Sequence, residues 1–227
     1  MPGQEHLAMT AEPPAGLVTE GVRSLEVRWI FRGQLNAAVA GWFGRFTAGT
    51  ESREDTYLLD PQLRGLSVKV RGGGALEVKV YRGSPRILEV AGRARGRMES
   101  WQKWSFPSGP PSPGSGDPVG WRPVGKRRRI SRFSSAGGPI VARALGLGQE
   151  AWCEVELTEV RMGGRDWWTL GFEATGPAHL LHSELQATAA LVFAQALPGG
   201  VPPGPDNSRS YAQWLGQRPG ASSDAGT

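Results

Sequence analysis

Charged and apolar residues alternate along several segments of this chain, and this two-residue period constrains the fold more than any other feature. In residues 24–31, Glu26 and Arg28 fall on one face of an extended strand, whereas Leu25 and Val27 fall on the other. Successive side chains point to opposite faces of a β-strand, so the pattern indicates a strand with one charged and one apolar face. The chain is therefore expected to be built mainly of β-strands.

The same reasoning extends to most of the chain up to residue 174. Strands are predicted where residues alternate or where β-branched and aromatic residues cluster, at 24–31, 53–59, 66–71, 76–81, 87–90, 98–106, 126–133, 152–160 and 167–174. Glycine-rich turns at 72–74 and 163–164 join neighbouring strands into two hairpins. Apolar residues at helical spacing predict helices over 34–46 and 178–197. Long antiparallel strands of this kind favour a barrel or a strongly curved sheet.

Glycine and proline mark the segments that lie outside this pattern. They number 33 and 18 of the 227 residues, and more than half of them lie in residues 1–22, 107–125 and 198–227. Such a composition is typical of loops and tails. We therefore predict a disordered N-terminal tail at 1–22 and a single domain at 23–197 that contains a Pro/Gly/Ser-rich loop at 107–125. Residues 198–227 are predicted to be a mostly irregular C-terminal tail.

Charge and cysteine content narrow the class of protein. The net charge is +5, and the first 22 residues are net negative, so the domain itself is more basic than the whole chain. A positive charge permits an anionic partner. The single cysteine, Cys153, excludes an intrachain disulfide. The sequence shows no signal-peptide pattern and no apolar run long enough for a bilayer. We expect a soluble, cytoplasmic protein that does not bind membranes.

The charged faces of the predicted strands carry both signs, as Lys69 and Arg71 do on one strand and Glu77 and Lys79 do on the next. Three arrangements agree with this pattern. The charged faces point to solvent, or the apolar faces line a lipocalin-like pocket, or the charged faces line a polar tunnel through a barrel. A polar tunnel would suit a polyanion, because Arg and Lys bind phosphate oxygens and carboxylates hold the Mg²⁺ or Mn²⁺ that bridges them.

Several short motifs follow one another in a recognisable order. They are 24–28 (SLEVR), 55–57 (DTY), 68–71 (VKVR), 76–79 (LEVK), 126–128 (KRR), 157–160 (LTEV) and 171–173 (GFE). This series resembles the CYTH superfamily, also called triphosphate tunnel metalloenzymes, which includes class IV adenylate cyclases, thiamine triphosphatases and inorganic triphosphatases. The resemblance covers residues 24–175. It implies a mainly β (α+β) fold, in which an eight-stranded antiparallel β-barrel forms a polar tunnel with two main flanking helices.

The resemblance also implies roles for individual residues. The residues that match its phosphate-binding positions are Arg28, Lys69, Arg71, Lys79, Lys126 and Arg128. Glu26 and Glu173 match its metal-binding positions, and Glu154 and Glu156 are further candidates. A site of this kind would use Mg²⁺ or Mn²⁺, and the partner would be a phosphorylated small molecule or polyphosphate. Residues 126–129 (KRRR) are not expected to bind nucleic acid, because alternate residues of a strand point to opposite faces.

The chain departs from the family at four positions. Ser24 stands where the family has a glutamate, Arg28 where it has a lysine, Thr158 where it has an aspartate and Gly171 where it has a glutamate. Most basic positions are therefore kept and three acidic ones are lost. We expect the chain to bind a triphosphate-like anion. Two classes stay open at this point, a metal-dependent phosphohydrolase with residual activity and a non-catalytic binding or protein-interaction module.

Overall fold

A computed structural model of the protein describes residues 21–46, 49–60, 62–63, 65–72, 74–84, 86–107, 120–134, 151–200 and 202–216. These residues form ten strands and three α-helices. The strands are β1 (Val22–Arg32), β2 (Gly49–Leu58), β3 (Leu66–Val70), β4 (Leu76–Gly83), β5 (Ile87–Val90), β6 (Ala94–Arg97), β7 (Glu99–Phe106), β8 (Trp121–Phe133), β9 (Trp152–Met162) and β10 (Arg165–Thr175). The helices are α1 (Ala37–Gly44), α2 (Leu181–Val192) and α3 (Tyr211–Gly216), and a 3₁₀ turn covers Pro205–Asn207.

Eight strands close into a barrel in the order β1-β10-β9-β8-β2-β3-β4-β7. Every neighbouring pair is antiparallel, including the β7–β1 pair that completes the ring. The mainly β fold and the eight-stranded antiparallel barrel predicted from the sequence are therefore confirmed. Full closure leaves the barrel without exposed sheet edges.

The apolar faces of the strands point out of the barrel. On β1 and β10 these faces carry Val27, Trp29 and Phe172, which are nearly inaccessible to solvent and belong to the main hydrophobic core. Helices α1 and α2 and the segment after α2 cover this face, and the ring of Phe193 packs edge-on against Trp29. Burying these faces outside the ring removes apolar surface from water and leaves the charged faces to line the lumen. The fold thus has a polar lumen instead of a lipocalin-like pocket.

Strands β5 and β6 form a separate two-stranded sheet beside the barrel. Residues 87–90 were correctly predicted as a strand, but they pair with β6 and take no part in the ring. Strand β6 was not predicted from the sequence. Its core-facing residues are Ala94 and Gly96, which are too small to produce a recognisable alternation of apolar and polar residues.

Several boundaries differ from those predicted. Strand β8 begins at Trp121, within the segment 107–125 that was predicted as a loop, and helix α2 is shorter than 178–197. The segment 198–227 includes the 3₁₀ turn and α3. Residues 1–20, 108–119 and 217–227, which belong to the predicted tails and loop, lie outside the described residues.

Helix α3 closes one end of the barrel. Its residues Trp214 and Leu215 are buried in a second hydrophobic cluster with Ile30 of β1, Tyr57 of β2 and Val160 of β9. The cluster is extended by the ring of Trp167, whose centroid lies 5.1 Å from that of Trp214. The lumen therefore ends in an apolar floor on the side of α3. None of the helices in the described part of the chain combines the length and the apolar character needed to cross a lipid bilayer.

Candidate functional site

The barrel encloses a cavity of about 280 Å³, hereafter the barrel cavity. Its size is just below the roughly 300–1,000 Å³ typical of pockets for drug-sized ligands. The cationic side chains that line it are Arg28, Arg53, Lys69, Arg71, Lys79, Arg97, Lys103, Lys126, Arg128, Arg132 and Arg209. The acidic ones are Glu26, Glu51, Glu77, Glu99, Glu154, Glu156 and Glu173. The cavity wall is thus unusually rich in charge, and cations outnumber carboxylates.

Strand parity explains why these residues meet. On β8, Lys126 and Arg128 are buried towards the lumen, whereas Arg127 between them points outward with its side chain 58% exposed. The register places Glu26 of β1 directly opposite Glu173 of β10, and closure of the ring places it opposite Glu99 of β7 as well. Residues that are distant in sequence therefore converge because alternate positions of eight paired strands face one space.

Glu156 is the centre of the first of three charge clusters. Its carboxylate accepts hydrogen bonds from the Arg28 Nη1 atom at 3.1 Å, from the Arg128 Nε atom at 2.8 Å and from the Thr158 hydroxyl at 2.6 Å. Burial alone would raise the pKa of Glu156, but the two guanidinium charges outweigh it and hold this pKa well below its ordinary value. Glu156 is therefore a permanent anion that fixes both arginines.

Asp55 organises the second cluster near the apolar floor. It is inaccessible to solvent and lies 2.9 Å from the Lys126 Nζ atom, 3.6 Å from the Lys69 Nζ atom and 3.0 Å from the Arg53 Nε atom. Burial would raise the pKa of Asp55, but these three cations lower it far below its ordinary value. Because one carboxylate serves three cations, none of them is fully compensated by it.

Lys126 is one of the three cations that share the carboxylate of Asp55. Its side chain is 3% exposed, and burial together with the charge of Lys69 lowers the pKa of Lys126 to about 7, although Asp55 opposes the change. Its ammonium donates to the hydroxyl of Tyr57 and lies 4.2 Å from the centre of the Tyr211 ring. A charged Lys126 is thus held by aromatic rings and by a shared carboxylate, and it would gain from another negative charge nearby.

Lys79 joins two carboxylates in the third cluster. Its Nζ atom lies 2.7 Å from Glu26 Oε1 and 3.5 Å from Glu173 Oε2, and Lys103 Nζ lies 3.2 Å from Glu173 Oε1. Burial would lower the pKa of Lys79, but the two glutamates outweigh it and raise that pKa above its ordinary value. Burial would raise the pKa of Glu173, but Lys79 and Lys103 lower it to about 2.

The mouth of the cavity lies opposite the floor. Here the side chains of Arg71, Arg132 and Glu51 are 37%, 39% and 44% exposed, in contrast to Lys126 and Asp55 at the floor. Arg132 pairs with Glu154, and Arg71 pairs with Glu77. Partly hydrated guanidinium groups at the rim provide a polar path towards the buried cations.

All ten residues singled out in the sequence line this one cavity. The six proposed anion contacts are Arg28, Lys69, Arg71, Lys79, Lys126 and Arg128, and the four proposed metal ligands are Glu26, Glu154, Glu156 and Glu173. Each of the six cations has at least one carboxylate within 4.0 Å. The structure therefore brings the predicted residues together and joins cations to anions in one network.

The four acidic candidates do not fit a divalent cation. Glu26 and Glu173 both face the Lys79 ammonium, and Glu154 and Glu156 both bind Arg128. Proteins hold Mg²⁺ with one or two carboxylates together with waters and substrate phosphates. The obstacle here is therefore not the number of carboxylates but the ammonium and guanidinium groups that already bind them. No group of three or more His, Cys, Asp or Glu side chains is arranged to hold a metal ion within the described residues. We therefore derive no chemistry through a metal ion.

Some residues of the cavity were not singled out in the sequence. Asp55 and Tyr57 were part of a motif, but no role was assigned to them. Glu99 and Lys103 share one face of β7 with Trp101, which also lines the cavity, so the two-residue spacing was a usable signal for both. Tyr211 carries no such signal, because it reaches the cavity from the C-terminal helix α3, through a tertiary contact that local pattern does not encode.

Comparisons with known proteins add little to this geometry. No family model and no curated protein matches the chain. Among solved structures, the chain is similar to the PH1819 protein from Pyrococcus horikoshii OT3, with a TM-score of 0.40 and 12% sequence identity, over 84% of this chain and 97% of that chain. The function is consequently inferred from the barrel cavity itself.

Proposed function

We propose that the barrel cavity binds a phosphorylated, triphosphate-like anion and that the chain is a divergent relative of the CYTH superfamily. The observation that carries this proposal is the convergence of Arg28, Lys69, Lys79, Lys126 and Arg128 on one cavity. These residues come from β1, β3, β4 and β8, so their meeting is a property of the closed ring and not of one basic strand. A surface charge run would have left them on separate faces.

The balance of charge supports an anionic ligand. Eleven cations and seven glutamates line the cavity, and Asp55 adds one further carboxylate through its contacts with Lys69 and Lys126. The surplus is positive, and a buried charge without full compensation is costly. An anion carrying several negative charges would offset this surplus, and a linear polyphosphate is small enough for a cavity of about 280 Å³.

Ion pairing within the network does not prevent ligand binding. A guanidinium has five N–H donors. Among the described residues, Arg28 donates from Nη1 to Glu156 and Thr169, which leaves its Nε and Nη2 donors for a ligand. Arg128 donates to Glu51, Glu154 and Glu156 and keeps one N–H at Nη1. Planar guanidinium groups also bind phosphate through paired hydrogen bonds. The carboxylates then act as supports that hold the cations in place before the ligand arrives.

The proposal is confined to binding. Each glutamate that the resemblance nominates for metal binding is engaged by Lys79 or Arg128. No carboxylate among them stands free to activate a water molecule in the described part of the chain. Phosphate release is therefore assayed together with binding, so that any hydrolysis is detected directly.

Thermal unfolding of the full chain tests the proposal. The melting temperature is measured with orthophosphate, sulfate, pyrophosphate, tripolyphosphate, thiamine triphosphate and ATP, each against sodium chloride of equal ionic strength. A ligand that binds only the folded state at 100 times its dissociation constant stabilises it by about 2.7 kcal/mol. We expect the largest rise with tripolyphosphate and no release of phosphate. No rise beyond that of sodium chloride with any polyphosphate would refute the proposal.

Two arginines give a matched pair of variants. Arg71 is 37% exposed at the mouth and pairs with Glu77, whereas Arg127 is 58% exposed on the outside and pairs with Glu159. Arg71→Gln leaves the buried Glu77 paired with Lys69 at 2.9 Å, and Arg127→Gln breaks a pair whose two side chains are exposed. Both changes should therefore have little effect on basal stability. We expect Arg71→Gln to reduce the stabilisation by tripolyphosphate and Arg127→Gln to keep it.

A further inference from the structure

Lys79 lies between the carboxylates of Glu26 and Glu173. Its Nζ atom is 2.7 Å from one carboxylate and 3.5 Å from the other, and none of the three side chains is more than 22% exposed. The two glutamates are also direct partners across β1 and β10. A single positive centre thus bridges two facing carboxylates in a partly dry site.

The oxygens of these two carboxylates are taken by other donors as well. The Ser24 hydroxyl donates to Glu26 Oε1 at 2.7 Å, and Lys103 lies 3.2 Å from Glu173 Oε1. A metal ion between the two carboxylates would have to displace Lys79, which alone among the described residues contacts both of them. Because Lys79 and Glu173 stabilise each other's charged forms, the ammonium is fully charged at neutral pH.

The space from which a further acidic ligand would approach is also filled. Gly171 is the inward-facing residue of β10 immediately before Glu173. A Cβ atom at Gly171 would lie 2.7 Å from the Arg28 Cζ atom. The guanidinium of Arg28 therefore occupies the room above Gly171. The cations that surround the facing glutamates are the ammonium groups of Lys79 and Lys103 and the guanidinium of Arg28, and Glu99 lies opposite Glu26 as a further acidic residue.

We propose that the Lys79 ammonium holds the place between Glu26 and Glu173 that a divalent cation would otherwise take, so that the barrel cavity takes up its anion without a metal ion. This inference rests on the proposed function for the identity of the anion. An ammonium has three N–H donors, and two of them suffice for the two carboxylates. The third, with Lys103 and Arg28 beside it, is available to phosphate oxygens.

The first experiment uses Mn²⁺ alone, with no polyphosphate present. Binding of Mn²⁺ is measured by electron paramagnetic resonance for the wild type, for Lys79→Met and for Lys103→Met. Removal of Lys79 leaves two facing carboxylates without their bridging cation, so we expect Lys79→Met to bind Mn²⁺ at least tenfold more tightly than the wild type. Lys103→Met removes the same charge but keeps the bridge, so it should behave as the wild type.

Two results would overturn the inference in this experiment. One is Mn²⁺ binding by the wild type that is abolished by Glu26→Gln, a comparison that needs no lysine variant to fold. The other is a Lys79→Met chain with the wild-type circular dichroism spectrum that binds no Mn²⁺. Both results are readable whether or not the protein binds polyphosphate, so they are separate from failure of the proposed function.

The second experiment measures the affinity of the wild type for tripolyphosphate in excess EDTA and in excess Mg²⁺. We expect the affinity in EDTA to equal or exceed that in Mg²⁺, because the free anion carries more negative charge than its magnesium complex. An affinity at least tenfold higher in Mg²⁺ would overturn the inference while supporting the proposed function. Absence of binding in both buffers would refute the proposed function, and the Mn²⁺ result would still decide the role of Lys79.

Discussion

The guanidinium of Arg28 lies over Gly171 on the neighbouring strand, and a Cβ atom at Gly171 would come within 2.7 Å of the Arg28 Cζ atom. The absent side chain gives Arg28 the room to donate to Glu156 at 3.1 Å and to the Thr169 hydroxyl at 3.0 Å. The glycine at 171 and the arginine at 28 therefore form one arrangement, in which the guanidinium fills the space that a side chain at position 171 would take.

The substitution Gly171→Ala should displace this guanidinium. The guanidinium is the far end of a flexible side chain and can shift, but its hydrogen bonds to Glu156 and Thr169 would weaken. We expect the free energy of unfolding to fall by about 1 kcal/mol in urea denaturation. In an Arg28→Met background the same Gly171→Ala change should cost clearly less, since no guanidinium remains above the glycine. Equal costs in the two backgrounds would show that the contact does not matter.

Glu156 should matter far more than a glutamate on the outside of the barrel. Glu156→Gln leaves Arg28 and Arg128 without their shared buried carboxylate, and breaking such a pair costs about 3–5 kcal/mol. Glu159 also pairs with two arginines but is 36% exposed, so Glu159→Gln should cost less than about 1 kcal/mol. Urea denaturation of both variants makes the comparison, and similar losses would contradict the account of the Glu156 cluster.

Strand parity made most of the lumen predictable from sequence. The alternation that separates Glu26 and Arg28 from Leu25 and Val27 reports which residues share a face, and this is why all the singled-out residues meet in one cavity. Alternation does not report which face points inward. That choice depends on aromatic packing of Trp29 outside the ring, a tertiary contact between segments far apart in sequence.

Two further features of the site, the Lys79 cluster and the apolar floor, could not be predicted from the sequence because they depend on tertiary contacts. The pairing of Lys79 with both Glu26 and Glu173 depends on the ring order that places β4 and β10 on either side of β7 and β1. The floor depends on Trp214, which lies in a segment predicted to be mostly irregular and whose ring centroid is 5.1 Å from that of Trp167. Such contacts follow from closure of the chain and not from local periodicity.

Acid should destabilise the protein through its buried carboxylates. Burial would raise the pKa of Glu77, but Lys69 and Lys79 lower it to about 2 in the folded chain, against about 4.3 in an unfolded one. A lowered folded pKa stabilises the protein fully above the unfolded pKa, and this stability is lost as the pH falls from about 4 through 2. The expected loss from Glu77 is on the order of 3 kcal/mol. Urea denaturation of the wild type between these pH values should show it, and Glu77→Gln should flatten the profile. An identical profile for the variant would contradict the prediction.

Lys126 should make the free energy of unfolding rise with pH a second time, above neutral pH. Burial and Lys69 lower its folded pKa to about 7, against about 10.4 in an unfolded chain. Between these values the unfolded chain holds a proton that the folded chain lacks, so the free energy of unfolding rises with pH, by up to about 1.4 kcal/mol per unit. In the folded chain Asp55, Tyr57 and Tyr211 do not titrate in this window, because Asp55 has a lowered pKa and both tyrosines have raised ones. Burial also lowers the pKa of Lys69, which adds to the same rise. Urea denaturation at a series of pH values should show this rise in the wild type and a weaker one in Lys126→Met. Parallel profiles would contradict it.

Isothermal titration calorimetry of tripolyphosphate in EDTA tests the central claim most directly, with Arg128→Lys and Arg127→Lys beside the wild type. Both changes keep the charge on the same strand, but only Arg128 faces the cavity. There its guanidinium binds Glu156 through Nε and Nη2 and keeps an N–H at Nη1 for phosphate, an arrangement that a lysine cannot reproduce. We expect one anion per chain, an affinity at least about tenfold weaker for Arg128→Lys, equivalent to about 1.4 kcal/mol, and an unchanged affinity for Arg127→Lys. Absence of binding heat in the wild type, or equal losses in the two variants, would contradict an anion-binding barrel cavity.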